Sequence, residues 1–371
     1  MSTPATQLRI RDAARQKAAV RRASARARRE ANRLDARALK QLDEVYRRAS
    51  IELQQAIAGY AGEDGNLRLQ VLTDLKRQTD AIIDRLAGTR NTLLDGQLIE
   101  AAQIAVQPWT DIAPQVIVNV PQQAVNFVRN YVGDDGLNLS ARLWRVDSGA
   151  RQLVGSAVEQ AVIQGHSASQ AVNDFLSRGE PVPAGLKLQA DQANAVRAGR
   201  LAGDALLHGE NNPRANAMRV FRTELNRAHG EAYMMGGEDV PDFVGWRFLL
   251  SPRHPAVDIC DMHANANLYG LGPGVYPDRD RCPWPAHPNT LSYTEIVFGD
   301  DITDEDRAGK ESRLDYIGKQ PQDKQNAILG SDAKGNALRA GVLRENHIAT
   351  PWRILRQRYE QQGIDVEALT Q

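Results

Sequence analysis

Cys260-Asp-Met-His263 and Cys282-Pro-Trp-Pro-Ala-His287 carry both cysteines of the chain and lie inside one stretch, residues 253–298, that is unusually rich in Pro, Gly and Asp. The two Cys/His pairs are separated by 18 residues, among them the loop Tyr269-Gly-Leu-Gly-Pro-Gly-Val-Tyr276. A Cys-x2-His pair can set a thiolate and an imidazole on one turn facing a common point, and Cys-x4-His can do the same from a loop. Together they offer four ligands of the number and type that tetrahedral zinc takes. The expectation is a structural Zn2+ held by Cys260, His263, Cys282 and His287, with His254 and Asp258 as substitutes. Two buried thiols, or a disulfide in an oxidising compartment, are the alternatives.

Strands flank this stretch. Val244-Gly-Trp-Arg-Phe-Leu-Leu250 reads as a strand, and Tyr293-Thr-Glu-Ile-Val-Phe298 as its return partner. A loop of this length buries too little surface to order itself, and an ion joining its two ends would do so.

Upstream the pattern is helical. Residues 8–60 read as mostly helix, and from Leu42 they carry an apolar stripe Leu42, Val45, Tyr46, Ala49, Leu53, Ile57 and Tyr60. Before Leu34 there is almost nothing to bury, which predicts a mobile or partner-dependent helix. Gly62-Glu-Asp-Gly65 breaks it, and Leu72, Leu75, Thr79, Ile82 and Leu86 form a second seam, so an antiparallel helical hairpin is expected. Three prolines and Val116-Ile-Val-Asn-Val120 suggest a linker or a short extended segment before a helix through Phe127 and Tyr131. Further helices are expected from Leu139 to a stop at Gly165, from a capping box at Ser167-Ala-Ser-Gln170, from about Ala190 to Leu207, and from Pro213 to Gly236-Gly237. Beyond residue 299 short amphipathic helices follow, and the end past Gln357 is polar and expected to be loose.

The overall charge of zero hides an asymmetry. Residues 1–50 hold 14 Lys/Arg against 5 Asp/Glu. A basic arm of this kind suggests nucleic acid or an acidic partner, with a solvated helix face as the plainer reading. There is no apolar run long enough to span a bilayer and no secretory signal, which predicts a reducing cytoplasm and favours thiolate ligands over a disulfide.

The helix bearing Arg-x2-Arg-Thr-Glu-Leu (219–225), the Val-Gly-Trp strand, the Cys-x2-His pair, Tyr276-Pro277, Trp-Pro-Ala-His-Pro-Asn (284–289) and Gln-Pro-x2-Lys-Gln-x2-Ile-Leu-Gly (320–330) together resemble phage minor head proteins of the Mu F-like head morphogenesis class. The resemblance is strongest over residues 140–345. It implies a low-copy head component, made in the bacterial host cytoplasm and carried in the virion head. Its partners would be the portal protein and the major capsid or scaffolding protein, with a role in DNA retention or delivery; that phage DNA is met through residues 9–48 is read from the basic charge of that stretch and not from the resemblance. Many members of that class have Cys-x2-Cys and His-Pro-x-Cys-x-Cys; here His263, Thr290 and Ser292 stand in cysteine positions, so Cys282 and His287 would have to compensate.

The expected fold is mainly α with a small α+β module: an elongated helical N-terminal half, and short antiparallel strands flanking a Cys/His loop. Its parts would be 1–107, a basic arm and hairpin; 108–205, a helical domain; 206–300, the α+β module; and 301–371, a helical tail. The competing function is a zinc-dependent hydrolase or HNH-like nuclease, with Asp261, His254 or Glu295 as general base. No His-Glu-x2-His motif supports it, and four protein ligands would close the metal site.

Overall fold

A computed structural model describes residues 4–114, 118–133, 135–179, 181–191, 194–288, 290 and 292–370, without the side chains of 4–11, 166 and 188–190. In chain order its helices are α1 Pro4–Ala58, α2 Leu72–Val106, α3 Val120–Asn130, α4 Leu139–Ser177, α5 Ala184–Ala190, α6 Ala195–Leu207 and α7 Pro213–Gly237. Then come β1 Phe243–Leu249, α8 Ile259–Asn265, β2 Val275–Tyr276 and β3 Tyr293–Phe298. The chain closes with α9 Asp304–Ala308, α10 Arg313–Gly318, α11 Gln322–Leu329, α12 Asp332–Arg339, α13 Trp352–Gln361 and α14 Val366–Thr370. The protein is thus mainly α with a small α+β module, as its patterning predicts. Among the described residues no helix is long and apolar enough to cross a membrane.

The chain forms two compact units, each assembled from segments far apart in sequence. One contains Asn32–Glu100 and Asn126–Leu225, the other Met1–Ala31, Ala101–Val125 and Asn226–Gln371.

In the first of these, the expected hairpin is present. Arg37 pairs with Glu100, Gln97 with Gln41 and Arg85 with Glu52, so partners on α2 descend as those on α1 ascend, which is antiparallel packing. Leu42, Tyr46, Leu53 and Ile57 are buried, as are Leu75, Thr79, Ile82 and Leu86. Gly199 and Gly203 of α6 let that helix press on α1: a Cβ on Gly199 would stand 2.9 Å from the Gln54 carbonyl oxygen. α4 runs unbroken through Gly165 and through Ser167-Ala-Ser-Gln170, correcting the expected stop and cap. Gly165, Val162 and Ala168 are buried there, and packing on that face outweighs the roughly 1 kcal/mol that a mid-helix glycine costs. The helix expected from about Ala190 to Leu207 begins later, at Ala195, as α6, where Asn194 caps it by accepting from the Val196 and Arg197 amides; α5 is a separate short helix before it. Of the expected linker or extended run, Val116 and Ile117 lie outside the described residues, while Val118 and Asn119 form a turn and Val120 opens α3, so the described part is not extended.

In the other unit, β1 is the central strand of an antiparallel sheet ordered β2-β1-β3. Trp246 pairs with Tyr276 on one side and with Ile296 on the other. The pairing of β1 with β3 matches the strand reading. The β2 edge was read as part of the Gly/Pro loop, because two residues are too few to show a period. Trp109, Tyr233 and Trp246 cluster beneath the sheet, with Trp109 Nε1 donating to the Tyr233 carbonyl at 3.0 Å.

The start of α1 also belongs to this unit, and here the structure corrects the sequence reading. Val20, Ser24 and Ala27 are buried, and Tyr233 donates to Ser24 Oγ at 2.9 Å. Lys17 pairs with Asp242 and Asp300, Arg21 with Asp301, and Arg28 with Glu295 at 3.1 Å while lying over the Tyr293 ring. Small residues give this face little hydrophobic signal, yet they allow close approach, and ion pairs complete the contact.

The C-terminal end is likewise tied down rather than loose. Met262 of α8 and Ala266, just past its end, pack in one apolar cluster with Ile317, Leu329, Ala337, Leu355, Tyr359, Val366 and Leu369. The polar run past Gln357 conceals Tyr359, Val366 and Leu369, which are buried together with Leu355.

Candidate metal centre

The site grows from the N-terminus of α8. Asp258 caps this helix, its side chain accepting from the Cys260 amide at 2.7 Å, and Asp261 accepts in return from the Asp258 amide at 3.0 Å. This reciprocal capping box fixes the Asp258 carboxylate beside Cys260. His254 Nε2 lies 2.8 Å from Asp261 Oδ2, so the same carboxylate anchors the loop that leads into the helix.

From the other side of the segment comes His287. Its Nδ1 is 2.9 Å from the Pro288 carbonyl oxygen. A carbonyl oxygen can only accept, so Nδ1 carries hydrogen and Nε2 is the nitrogen left for a proton or a cation. Nε2 is buried, 3.1 Å from Asp258 Oδ2, yet out of line for a hydrogen bond. Asp258, Cys260 and His287 each present one ligand atom, all within 4.8 Å of one another. This oxygen, sulfur and nitrogen set is compatible with a metal ion.

A second group, His254, Asp258 and Asp261, shares the Asp258 carboxylate. Its histidine and Asp261 already satisfy one another, which suits a supporting role.

The electrostatics fit a site built for positive charge. Asp258, and after it Cys260, push the His287 imidazole up to about 10, so that a proton on Nε2 fills the gap between them when no cation does. Burial raises the Asp258 carboxyl, but the nearby His287 and the Cys260 amide outweigh it and hold it below the usual carboxylate range.

Of the four ligands expected from spacing, the structure brings Cys260 and His287 together and leaves His263 and Cys282 outside both groups. His263 Nδ1 lies 2.9 Å from the Tyr276 hydroxyl, and burial lowers its imidazole to about 3, so it is a neutral core residue. Cys282 is buried with its thiol pushed up by burial and by the carboxylates of Glu231 and Asp278. Both cysteines are free thiols. Asp258, a substitute on the sequence reading, takes the third place. Its signal was legible as Asp-x2-Asp at a helix start, a capping pattern rather than a metal motif. Thr290 Oγ1 lies 3.7 Å from Cys260 Sγ, and Ser292 Oγ is buried with no hydrogen-bond partner among the described residues.

As for the proposed bases, Asp261 is engaged as described and Glu295 is paired with Arg28. In the Arg-Thr-Glu segment, Glu224 is buried against Arg142 at 3.0 Å and Arg222 faces Asp35 at 3.5 Å, which are structural ion pairs. Compared with known protein families, with curated proteins and with solved structures, the chain matches none.

Proposed function

We propose that this chain is a phage minor head protein: a non-catalytic component of head morphogenesis, acting at or near the portal vertex in several copies per head. Its surfaces would engage the portal protein and the major capsid or scaffolding protein, and it would be retained in the virion. In this reading a structural zinc ion bound by Asp258, Cys260 and His287 staples the segment between β1 and β3. The observation that carries it is the convergence of a helix-capping carboxylate, a buried thiol and an oriented imidazole from the two ends of that segment. Mixed sulfur, nitrogen and oxygen donors suit zinc better than calcium or magnesium, which take oxygen alone. Support for the head assignment comes from the sequence resemblance over residues 140–345.

Two experiments test the two halves. Elemental analysis of the purified protein should find about one zinc per chain, and chelation should speed proteolysis between residues 266 and 287. Immunodetection in gradient-purified virions of the encoding virus should find the protein with heads. Its absence from heads, in virions where the coat protein is readily detected, would overturn the assembly reading.

One observation favours the alternative of a zinc-dependent hydrolase or HNH-like nuclease. Three protein ligands leave a fourth position for water, and the His254–Asp261 pair adjoins it. Metal-dependent phosphodiester or peptide hydrolysis that is lost in His254→Ala, with zinc still bound, would decide for it.

A further inference from the structure

The buried face of α1 in the unit containing Met1–Ala31 uses Val20, Ser24 and Ala27, and its flanks spend Lys17, Arg21 and Arg28 on Asp242, Asp300, Asp301 and Glu295. On the opposite face Arg22, Arg26 and Arg29 succeed one another at steps of four and three residues, and all are exposed. Among the described residues none of these three has an ion pair or a side-chain hydrogen bond. Arg15, two turns earlier on the same face, has only a loose contact with Asp12 at 3.9 Å. Like charges at this spacing repel one another along a helix. The unit's own acidic groups thus pair with the inner cations, and the acid nearest the outer row, the exposed Glu30 one turn beyond Arg26, is outnumbered by it three to one and makes no ion pair with it among the described residues.

We infer that Arg22, Arg26 and Arg29 form a docking row for the phosphate backbone of double-stranded nucleic acid. From Arg22 to Arg29 the helix rises about 10 Å, and one strand of a duplex presents a phosphate every 3.4 Å or so of its axis. Three cations therefore face about three phosphates. All three are arginines, whose planar guanidinium matches phosphate geometry with two parallel hydrogen bonds. No aromatic side chain stands among them to stack on bases, so the row reads charge and spacing and is indifferent to sequence. Because the inner face of α1 is held by the sheet edge, the row is presented on a fixed helix. The inference narrows to three residues the nucleic-acid contact expected of the basic stretch 9–48, and it needs neither the metal group nor the head resemblance.

The test is fluorescence anisotropy of the full chain with a labelled mixed-sequence DNA duplex, from about 50 to 200 mM KCl. The triple variant R22Q/R26Q/R29Q should lower the slope of log K against log salt by about 2.7, three phosphates at roughly 0.9 each. The affinity lost across that fourfold salt range would then be about fortyfold smaller than in the parent. R22K/R26K/R29K, which keeps the charge, should retain most of the slope. R178Q/R197Q/R200Q, an equal loss of exposed charge elsewhere, should leave it unchanged. An unaltered slope in the first variant overturns the proposal, as does an equal loss in the last. Competition by polyglutamate as effective as that by DNA would show an acidic protein to be the better ligand and overturn it too.

Discussion

His287 Nε2 stands 3.1 Å from Asp258 Oδ2 although neither residue belongs to the same loop end, and the Pro288 carbonyl locks the ring in that orientation. The relationship makes Asp258, rather than Cys282, the partner of Cys260 and His287. Zinc binding should accordingly be abolished in Cys260→Ser and His287→Ala and retained in Cys282→Ser. Asp261→Asn, which disturbs the capping box without removing a ligand, should weaken it roughly 10–100-fold. Competition with a fluorescent chelator measures all four. Loss of zinc in Cys282→Ser as well as in Cys260→Ser and His287→Ala would favour the ligand set read from spacing.

Two titrations on α7 should oppose each other. Burial holds the His229 imidazole down to about 4, against an ordinary value of 6.5, with its Nε2 unpartnered near Arg28 and Glu295. Its stabilisation is complete above 6.5 and lost as pH falls through 4. Burial raises Glu231 from 4.5 to about 7, against the pull of Arg279 and Arg227 and with Asp280 and Glu238 adding to the rise. That contribution is complete below 4.5 and lost as pH rises through 7. Between 4.5 and 6.5 the two slopes cancel. His229→Phe should uncover a stability that falls with rising pH, on the order of 3 kcal/mol over the window, and Glu231→Gln one that rises. Denaturant titrations at several pH values would read both, and identical profiles in the two variants would contradict the assignment.

Arg90 is fully buried and holds Asp147 with two hydrogen bonds, of 2.6 and 3.1 Å. Arg90→Met leaves the Asp147 carboxylate without its partner and should cost about 3–5 kcal/mol. Removing both charges, in R90M/D147L, should recover most of that loss. Urea unfolding compares them, and a double variant no better than the single one would argue against a paired-charge origin.

Glycines on different helices should respond in opposite directions. A Cβ at Gly199 would meet the Gln54 backbone, its oxygen at 2.9 Å and its Cα at 3.1 Å, whereas one at Gly96 meets nothing within 4 Å. Gly199→Ala should destabilise by about 1–3 kcal/mol through overpacking. Gly96→Ala should stabilise by about 0.5–1 kcal/mol through helix propensity and reduced chain entropy. Thermal unfolding followed by circular dichroism distinguishes the two.

Much of the fold was legible because its causes are local. The stripe from Leu42 to Ile57, the seam from Leu75 to Leu86 and the β1/β3 pair all follow from periodicity within a few residues. The misreadings share a different cause. Ser24 and Ala27 look unburiable in sequence, but a neighbouring Tyr233 and a row of acids make their face an interface. Gly165 looks like a stop, but the helix is held through it by buried neighbours on the same face.

By itself the sequence determined the helical class, the hairpin, the two paired strands and the stretch in which a metal-compatible group must lie. Only the tertiary structure decided which side chains compose that group. Cys/His spacing weighs every thiol and imidazole alike, whereas the sheet sends His263 to Tyr276 and buries Cys282 near Glu231 and Asp278. The α8 capping box meanwhile aims a carboxylate at His287. Periodicity and caps are encoded between residues a turn apart, but a ligand set is a coincidence in space of residues that only long-range packing brings together.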